Sequence, residues 1–219
     1  MIHSLQALKI CYFCSLFCIE RNIHFAYILS GCQRFIALLY LIQMLTPHHI
    51  KHTIPPVYDE RSTVLLLGSL PSPKSRAEGF YYGNPQNRLW KILEAVYQTN
   101  LNKIYPDEIY LNGTIEAKKK FLRDKHIAMW DVIAECEITG AADSSIKNPV
   151  PNDFSKIFKT AKINAVFLTG KKAFTLYELL CASKYNVPYY LLPSPSPANQ
   201  RIGFEDMVAQ YSIINSNSK

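Results

Sequence analysis

The sequence predicts an α/β fold in which a mainly parallel sheet is covered by helices on both faces. Two observations carry this expectation. Short, uniformly apolar runs recur at 63–67, 127–132, 165–169 and 189–192. They are too short for helices and lack polar alternation, as expected of strands buried on both sides. Stretches of helical periodicity lie between them, so parallel neighbours are joined by right-handed crossovers. No repeat or low-complexity tract interrupts the alternation. With 219 residues, 48% of them hydrophobic, the chain can bury a substantial core, which excludes general disorder. Its formal net charge of +7 favours a polyanionic partner.

Two segments are expected. Residues 1–45 form an apolar, Cys-rich extension, and residues 46–219 form the working domain. Cys11, Cys14, Cys18 and Cys32 lie in the extension. A CxxCxxxC run invites a metal or iron–sulfur reading, but bulky apolar residues fill its intervals and no Gly or Pro turns are there to wrap a cluster. No metal is expected. The charge-free stretch 35–50 has 16 residues, short of the roughly 20 needed to span a bilayer, and no signal-peptide pattern precedes it. The preferred reading is that the extension lies outside the working protein, which then starts at Met44. Cys136 and Cys181, isolated further on, read as core thiols of a reducing compartment. The expected location is cytoplasmic.

In chain order, residues 48–60 form an extended lead-in, with Pro55-Pro56 excluding helix. The first strand, 63–67, runs into a loop from Gly68 rich in Ser and Pro. Ser69, Ser72, Lys74, Ser75 and Arg76 there suit phosphate oxygens. The aromatic run Phe80-Tyr81-Tyr82 follows as a stacking platform. A helix over 85–98 is then predicted, with Asn84 as N-cap and Pro85 at its first position. Gln86 and Asn87 would occupy its first turn, where free N–H groups and the positive dipole end gather. Leu89, Ile92, Leu93 and Val96 give its buried stripe. A charged helix follows at 114–124, with Lys118, Lys119 and Lys120 expected to face water or nucleic acid. Helices at 171–182 and 203–214 complete the pattern. Ligands of such sheets bind beyond the carboxyl ends of the strands, which places loops 68–76, 170–171 and 193–201 together. A phosphate-holding loop, an aromatic platform and an amide side chain in one short segment indicate a nucleotide site.

The loop 193–201, Pro193-Ser194-Pro195-Ser196-Pro197-Ala198-Asn199-Gln200-Arg201, is the second informative feature. Alternating Pro and Ser makes it stiff, able to grip phosphate or enter a groove with little entropy loss.

GSLPSPKSR at 68–76, GFYYGNPQNRLW at 79–90 and LPSPSPANQR at 192–201 together resemble the uracil-DNA glycosylase superfamily, and most of all its hypoxanthine-DNA (deoxyinosine) glycosylase branch. The chain is also similar to the mismatch-specific uracil/thymine glycosylases. The resemblance spans roughly residues 50–215 and implies a three-layer α/β/α sandwich with a short, mainly parallel central sheet. It also implies excision of a deaminated base from double-stranded DNA. Where mismatch-specific relatives carry an Asn in the first loop, this chain has Leu70. Where others place a His at the head of the second loop, it has Pro193-Ser194, and His126 is the only histidine after residue 52. The resemblance therefore implies that Asn87 is the catalytic amide, in agreement with the residue-level reading. The plainer role for Asn87 is to buttress the loop through backbone bonds.

The base must leave the stack before its glycosidic bond can be reached. The resemblance implies that Tyr82 stacks on the flipped base, with Phe80 and Tyr81 as supports. Gly68 and Ser69 would complete the base pocket, their backbone N–H groups stabilising charge on the departing purine. Ser72, Ser75, Arg76, Ser194 and Ser196 would hold phosphates, while Pro197, Ala198 and Asn199 fill the vacated space. Cleavage is expected to be dissociative, with water oriented by Asn87 and with neither metal nor cofactor. A monofunctional, monomeric glycosylase without lyase activity is expected. Asp131 at the end of its strand is placed to face the pocket or to cap a turn, and the polar cluster 143–148 reads as a DNA-contacting or solvated loop. Two alternatives stay open: excision of uracil, alone or mispaired, and a damaged-DNA-binding module that does not cut.

Overall fold

A computed structural model of the chain describes residues 46–99, 113–139 and 143–218. The extension 1–45 and its four cysteines lie outside the described residues. The unit His49–Lys219 carries the fold and the site. Its central sheet is four parallel strands in the order β3-β2-β6-β7, formed by β2 (Val64–Gly68), β3 (Ile127–Asp131), β6 (Ala165–Thr169) and β7 (Tyr189–Leu192). The three-layer α/β/α expectation holds.

The layers follow from alternation along β2. Val64 and Leu66 point to one face, where they meet α2 (Leu89–Val96), α3 (Ile115–Asp124) and α6 (Phe204–Asn217) through Trp90, Phe121 and Tyr211. Leu65 and Leu67 point to the other face, against α5 (Lys171–Leu180) and α4 (Ser155–Thr160) through Tyr177 and Ile157. Every β2 residue is buried, which is why its sequence lacks polar alternation. At roughly 1.5–3 kcal/mol for each buried large aliphatic side chain, this strand anchors both half-cores.

Several elements differ from expectation. The run at 127–132 ends in a bend at Val132, and the chain continues as β4 (Ile133–Ile138). With β1 (His48–Lys51) and β5 (Lys147–Pro151), β4 builds a separate three-stranded sheet, so the cluster at 143–148 is a 3-10 turn leading into a strand. Residues 73–78 form a short helix, α1 (Pro73–Glu78), where a loop was expected. Ser72 caps it by accepting the Ser75 N–H at 3.2 Å, and Gly79 in the left-handed region ends it. The strand β7 is not fully buried: Tyr190 and Leu191 are exposed on the edge of the sheet. Lys118 departs most. It is 8% exposed, its ammonium lies 5.2 Å from the Trp90 ring centroid, and burial pushes its pKa down. Lys119 and Lys120 pair with Glu116 and Asp124 at the surface. Cys136 and Cys181 are buried in the core, as expected.

Candidate active site

The carboxyl ends of β2, β3 and β6 open into a cavity of about 650 Å³, within the usual size range of small-molecule sites. Gly68, Ser69, Ser72, Tyr82, Asn87, Ser194, Ser196, Ala198 and Asn199 line it, as do Asp131, Thr169 and Arg201. Both Ser-Pro loops, the Tyr82 ring and the Asn87 amide thus share one space.

The helix start at this site lies later than the sequence suggests. Asn84 accepts the Gln86 N–H at 3.0 Å and closes a turn with the Asn87 N–H at 2.7 Å, and α2 begins only at Leu89. Asn84 is therefore a turn residue, and Gln86 and Asn87 precede the helix. Asn-Pro favours this turn, while Asn87 takes over the capping bond by accepting the Leu89 N–H through Oδ1 at 3.0 Å. With Oδ1 so engaged, Nδ2 is the end of the amide left to act in the cavity.

Tyr82 crosses the cavity in a left-handed backbone conformation, φ +52°, which is strained for a bulky residue. Its hydroxyl lies 2.8 Å from Thr169 Oγ1, and Thr169 donates to the Leu67 carbonyl at 3.2 Å. Because that carbonyl can only accept, the Tyr82 hydroxyl donates to Thr169. The ring is thereby tied to the sheet. Gly68 is required beneath it: a Cβ there would sit 2.3 Å from Asp131 Oδ1 and 3.0 Å from the Tyr82 hydroxyl.

Three expected site residues take different places. Phe80 does not line this cavity; it is 3% exposed and stacks on Trp90 at 6.0 Å between centroids. Tyr81 lines the cavity in its stead, its hydroxyl bonded to the carbonyls of Ile54 and Pro55; burial raises its pKa far above the usual tyrosine value. Ser75 is 2% exposed and accepts the Gly83 N–H at 3.1 Å, so its hydroxyl braces the loop where a phosphate contact was expected. Pro197 does not line the cavity. Arg76 does, with one guanidinium nitrogen donating to the Pro71 carbonyl at 2.7 Å.

The second loop is locked in place. Ser194 accepts the Ser196 N–H, Ser196 accepts the Ala198 N–H, both at 3.3 Å, and Asn199 Nδ2 donates to the Ser194 carbonyl at 2.9 Å. Gly170, φ +105°, lets the loop approach: a Cβ there would lie 3.0 Å from Ser194 Cβ. The residue that joins the two loops is Arg88, which sequence reasoning passed over. Its backbone N–H donates to the Pro195 carbonyl at 3.0 Å, and its guanidinium donates to the carbonyls of Ile202, at 3.0 Å, and Asn199. An Arg next to the PQN segment and beside a loop dense in prolines was the available signal, since prolines leave carbonyls without matching N–H groups.

His52 was also missed. Its Nε2 lies 3.0 Å from Asp131 Oδ2, with side-chain exposures of 1% and 5%. Among the described residues there is no group of three or more His, Cys, Asp or Glu side chains that could hold a metal ion, and no helix long and apolar enough to cross a membrane.

Against known families, residues 55–211 match the description "Uracil DNA glycosylase superfamily". The chain belongs to the uracil DNA glycosylase superfamily. Two curated relatives of this superfamily chain are each named "Hypoxanthine DNA glycosylase". The protein of Methanosarcina acetivorans is 36% identical over 153 residues, 69% of this chain and 90% of that protein. The Methanosarcina barkeri protein is 34% identical over 152 residues, 69% of this chain and 89% of that protein. A solution NMR structure of a candidate uracil DNA glycosylase from M. acetivorans is similar with a TM-score of 0.61 at 32% identity, covering 76% of this chain and 99% of that one.

Proposed function

We propose that this superfamily member is a monofunctional DNA glycosylase that hydrolyses the N-glycosidic bond of deaminated bases, with hypoxanthine in deoxyinosine as the preferred one. The observation that supports this most is the meeting of Asn87, Tyr82 and both Ser-Pro loops around one cavity, together with likeness to two proteins named for hypoxanthine.

The chemistry divides among these groups. A flipped base enters the cavity and stacks on Tyr82, whose orientation is fixed by Thr169. Ser72, Ser194 and Ser196 sit at the cavity wall with Arg76 and Arg201, where hydroxyl and guanidinium donors suit the phosphates flanking the extruded nucleotide. Ala198 and Asn199, on the locked second loop, fill the gap left in the duplex. As the glycosidic bond lengthens, negative charge grows on the purine. The Nδ2 protons of Asn87 then stabilise it or hold the attacking water, in a site that pays little reorganisation because the amide is already capped onto α2. The enzyme acts as a monomer on double-stranded DNA, in the cytoplasm at the nucleoid.

A duplex carrying one deoxyinosine, incubated with wild-type protein and with Asn87→Ala, tests this. Alkali-labile abasic sites with wild type and a large loss in the variant are expected. Binding without turnover by wild type would support the non-cutting module, and faster release of uracil than of hypoxanthine would support the uracil alternative. Borohydride trapping of a covalent protein–DNA adduct would contradict monofunctional chemistry.

A further inference from the structure

We infer that a groove behind the aromatic run, between the lead-in and α3, docks a short acidic and apolar segment of a partner protein. This goes beyond the glycosylase reading and does not rest on it.

The groove has a volume of about 260 Å³ and is lined by Pro55, Pro56 and Tyr58 from the lead-in, Phe80 from the aromatic run, and Lys119 and Arg123 from α3. That is below the roughly 300–1,000 Å³ of small-molecule sites, so it takes a few side chains of an extended segment rather than a whole cofactor. None of these residues lines the catalytic cavity, whereas Tyr81 and Tyr82 do. The aromatic run is the partition: Phe80 serves the groove and its two neighbours serve the cavity.

The lead-in wall is fixed before anything binds. Val57 exchanges two backbone bonds with Met129 of β3, at 3.0 and 2.8 Å. The Tyr81 hydroxyl engages the carbonyls of Ile54 and Pro55, at 3.1 and 2.9 Å. Two successive prolines stiffen the same stretch. At Gly79, also on the groove, a Cβ would meet nothing within 4 Å, so the space there is open. A preformed wall lowers the ordering cost of binding.

Charge decides what fits. The acids nearby are already matched: Glu116 with Lys119 at 2.8 Å, Asp124 with Lys120 at 2.6 Å and Asp59 with Arg61 at 2.8 Å. Arg123, exposed on α3 one turn after Lys119, has no salt bridge among the described residues. Glu116 is held below the usual carboxylate range chiefly by Lys119, with Arg123 the smallest contribution. An unpaired guanidinium beside proline and aromatic carbon calls for a carboxylate next to an apolar side chain, the pattern of acidic-motif recognition. A duplex phosphate would satisfy the guanidinium but leave the prolines and Tyr58 without the apolar contact that favours burial.

The test is a titration of the full chain, followed in amide nitrogen–proton NMR spectra, with two pools of end-capped tetrapeptides. One pool carries Asp or Glu beside Leu, Ile, Phe or Tyr; the other carries Asn or Gln in place of the acid. The acidic pool is expected to shift the amides of Val57, Tyr58, Phe80 and Arg123, and the neutral pool to leave them. Arg123→Gln is expected to weaken binding about two- to fivefold, and Arg123→Glu at least about tenfold. The shifts are expected to persist with a saturating lesion-free duplex, because the cavity lies across the partition. No shift with the acidic pool, equal shifts with both pools, or unchanged binding in Arg123→Glu overturns the inference. Displacement of the peptides by the duplex overturns it too, and makes the groove a DNA contact. If Arg123→Glu fails to fold, Arg123→Gln carries the comparison, and unchanged binding is again decisive. Base excision is no part of the readout, so the docking site and the glycosylase reading fail separately.

Discussion

Asn87 has two jobs in this structure, and one substitution separates them. Its Oδ1 accepts the Leu89 N–H at 3.0 Å and so caps α2, while Nδ2 remains for the cavity. Asn87→Asp keeps the accepting oxygen and places a negative charge near a helix N-terminus, so the cap survives or strengthens by a few tenths of a kcal/mol up to about 1. The same change removes both amide protons from the cavity and sets a like charge against the departing purine. Loss of one preorganised donor to a developing anion costs about 2.7–4 kcal/mol, or 10²- to 10³-fold in rate, and the added repulsion moves the result to the upper end. Asn87→Ala loses both functions and should fall in stability by about 0.5–2 kcal/mol as well. Single-turnover excision of deoxyinosine and urea unfolding, run on wild type and both variants, give the two readouts. Asn87→Asp is expected to be inactive and fully stable. If it retains activity within about threefold of wild type, the amide serves only as a buttress and the chemistry assigned to it is refuted.

Arg88→Met removes the guanidinium that joins the second loop to α2; DNA affinity, read by fluorescence anisotropy, should weaken at least about tenfold, with the loop becoming sensitive to limited proteolysis. Lys118→Met exchanges a desolvated ammonium over Trp90 for an apolar chain of similar length; DNA affinity should be unchanged, with thermal stability equal or higher. Alkali should unfold the domain through its buried acids. Burial pushes Cys181 up to about 11 and Tyr97 up to about 12, and Tyr81, Tyr177 and Tyr211 further. Raised folded-state values mean that the unfolded chain loses its protons first, so their stabilisation is complete below about pH 9 and is lost as pH rises through the folded values. Lys118, with its lowered pKa, acts in the opposite sense but is outnumbered. A melting temperature that stays level between pH 8.5 and 11 would contradict this.

The sheet was legible because burial on both faces leaves a direct mark, the uniform apolar runs at β2 and β6. The edge strand β7 carried the same mark although Tyr190 and Leu191 are exposed, since an apolar run does not say whether a helix covers it. Asn84-Pro85 matched a helix start and also an Asx turn, and the second Asn three residues on decided for the turn. The Ser- and Pro-rich segment at 72–78 hid a helix because its cap, Ser72, and its Pro at the first position read equally as loop chemistry. Lys118 could not be placed from charge alone, because a lysine in a lysine run is buried only if the third dimension puts Trp90 beneath it. The cavity itself was predicted by three motifs in order, yet the residues that hold it together were not. Arg88, Thr169 and His52 act across 79 residues or more on partners that no local spacing reveals.

The most direct test of the account is to look for the product. Wild-type protein and a deoxyinosine duplex should yield free hypoxanthine by mass spectrometry, in amounts equal to the abasic sites formed, with the strand intact until alkali is added. A duplex that is bound but releases no base would contradict the central claim, whatever the cavity contains.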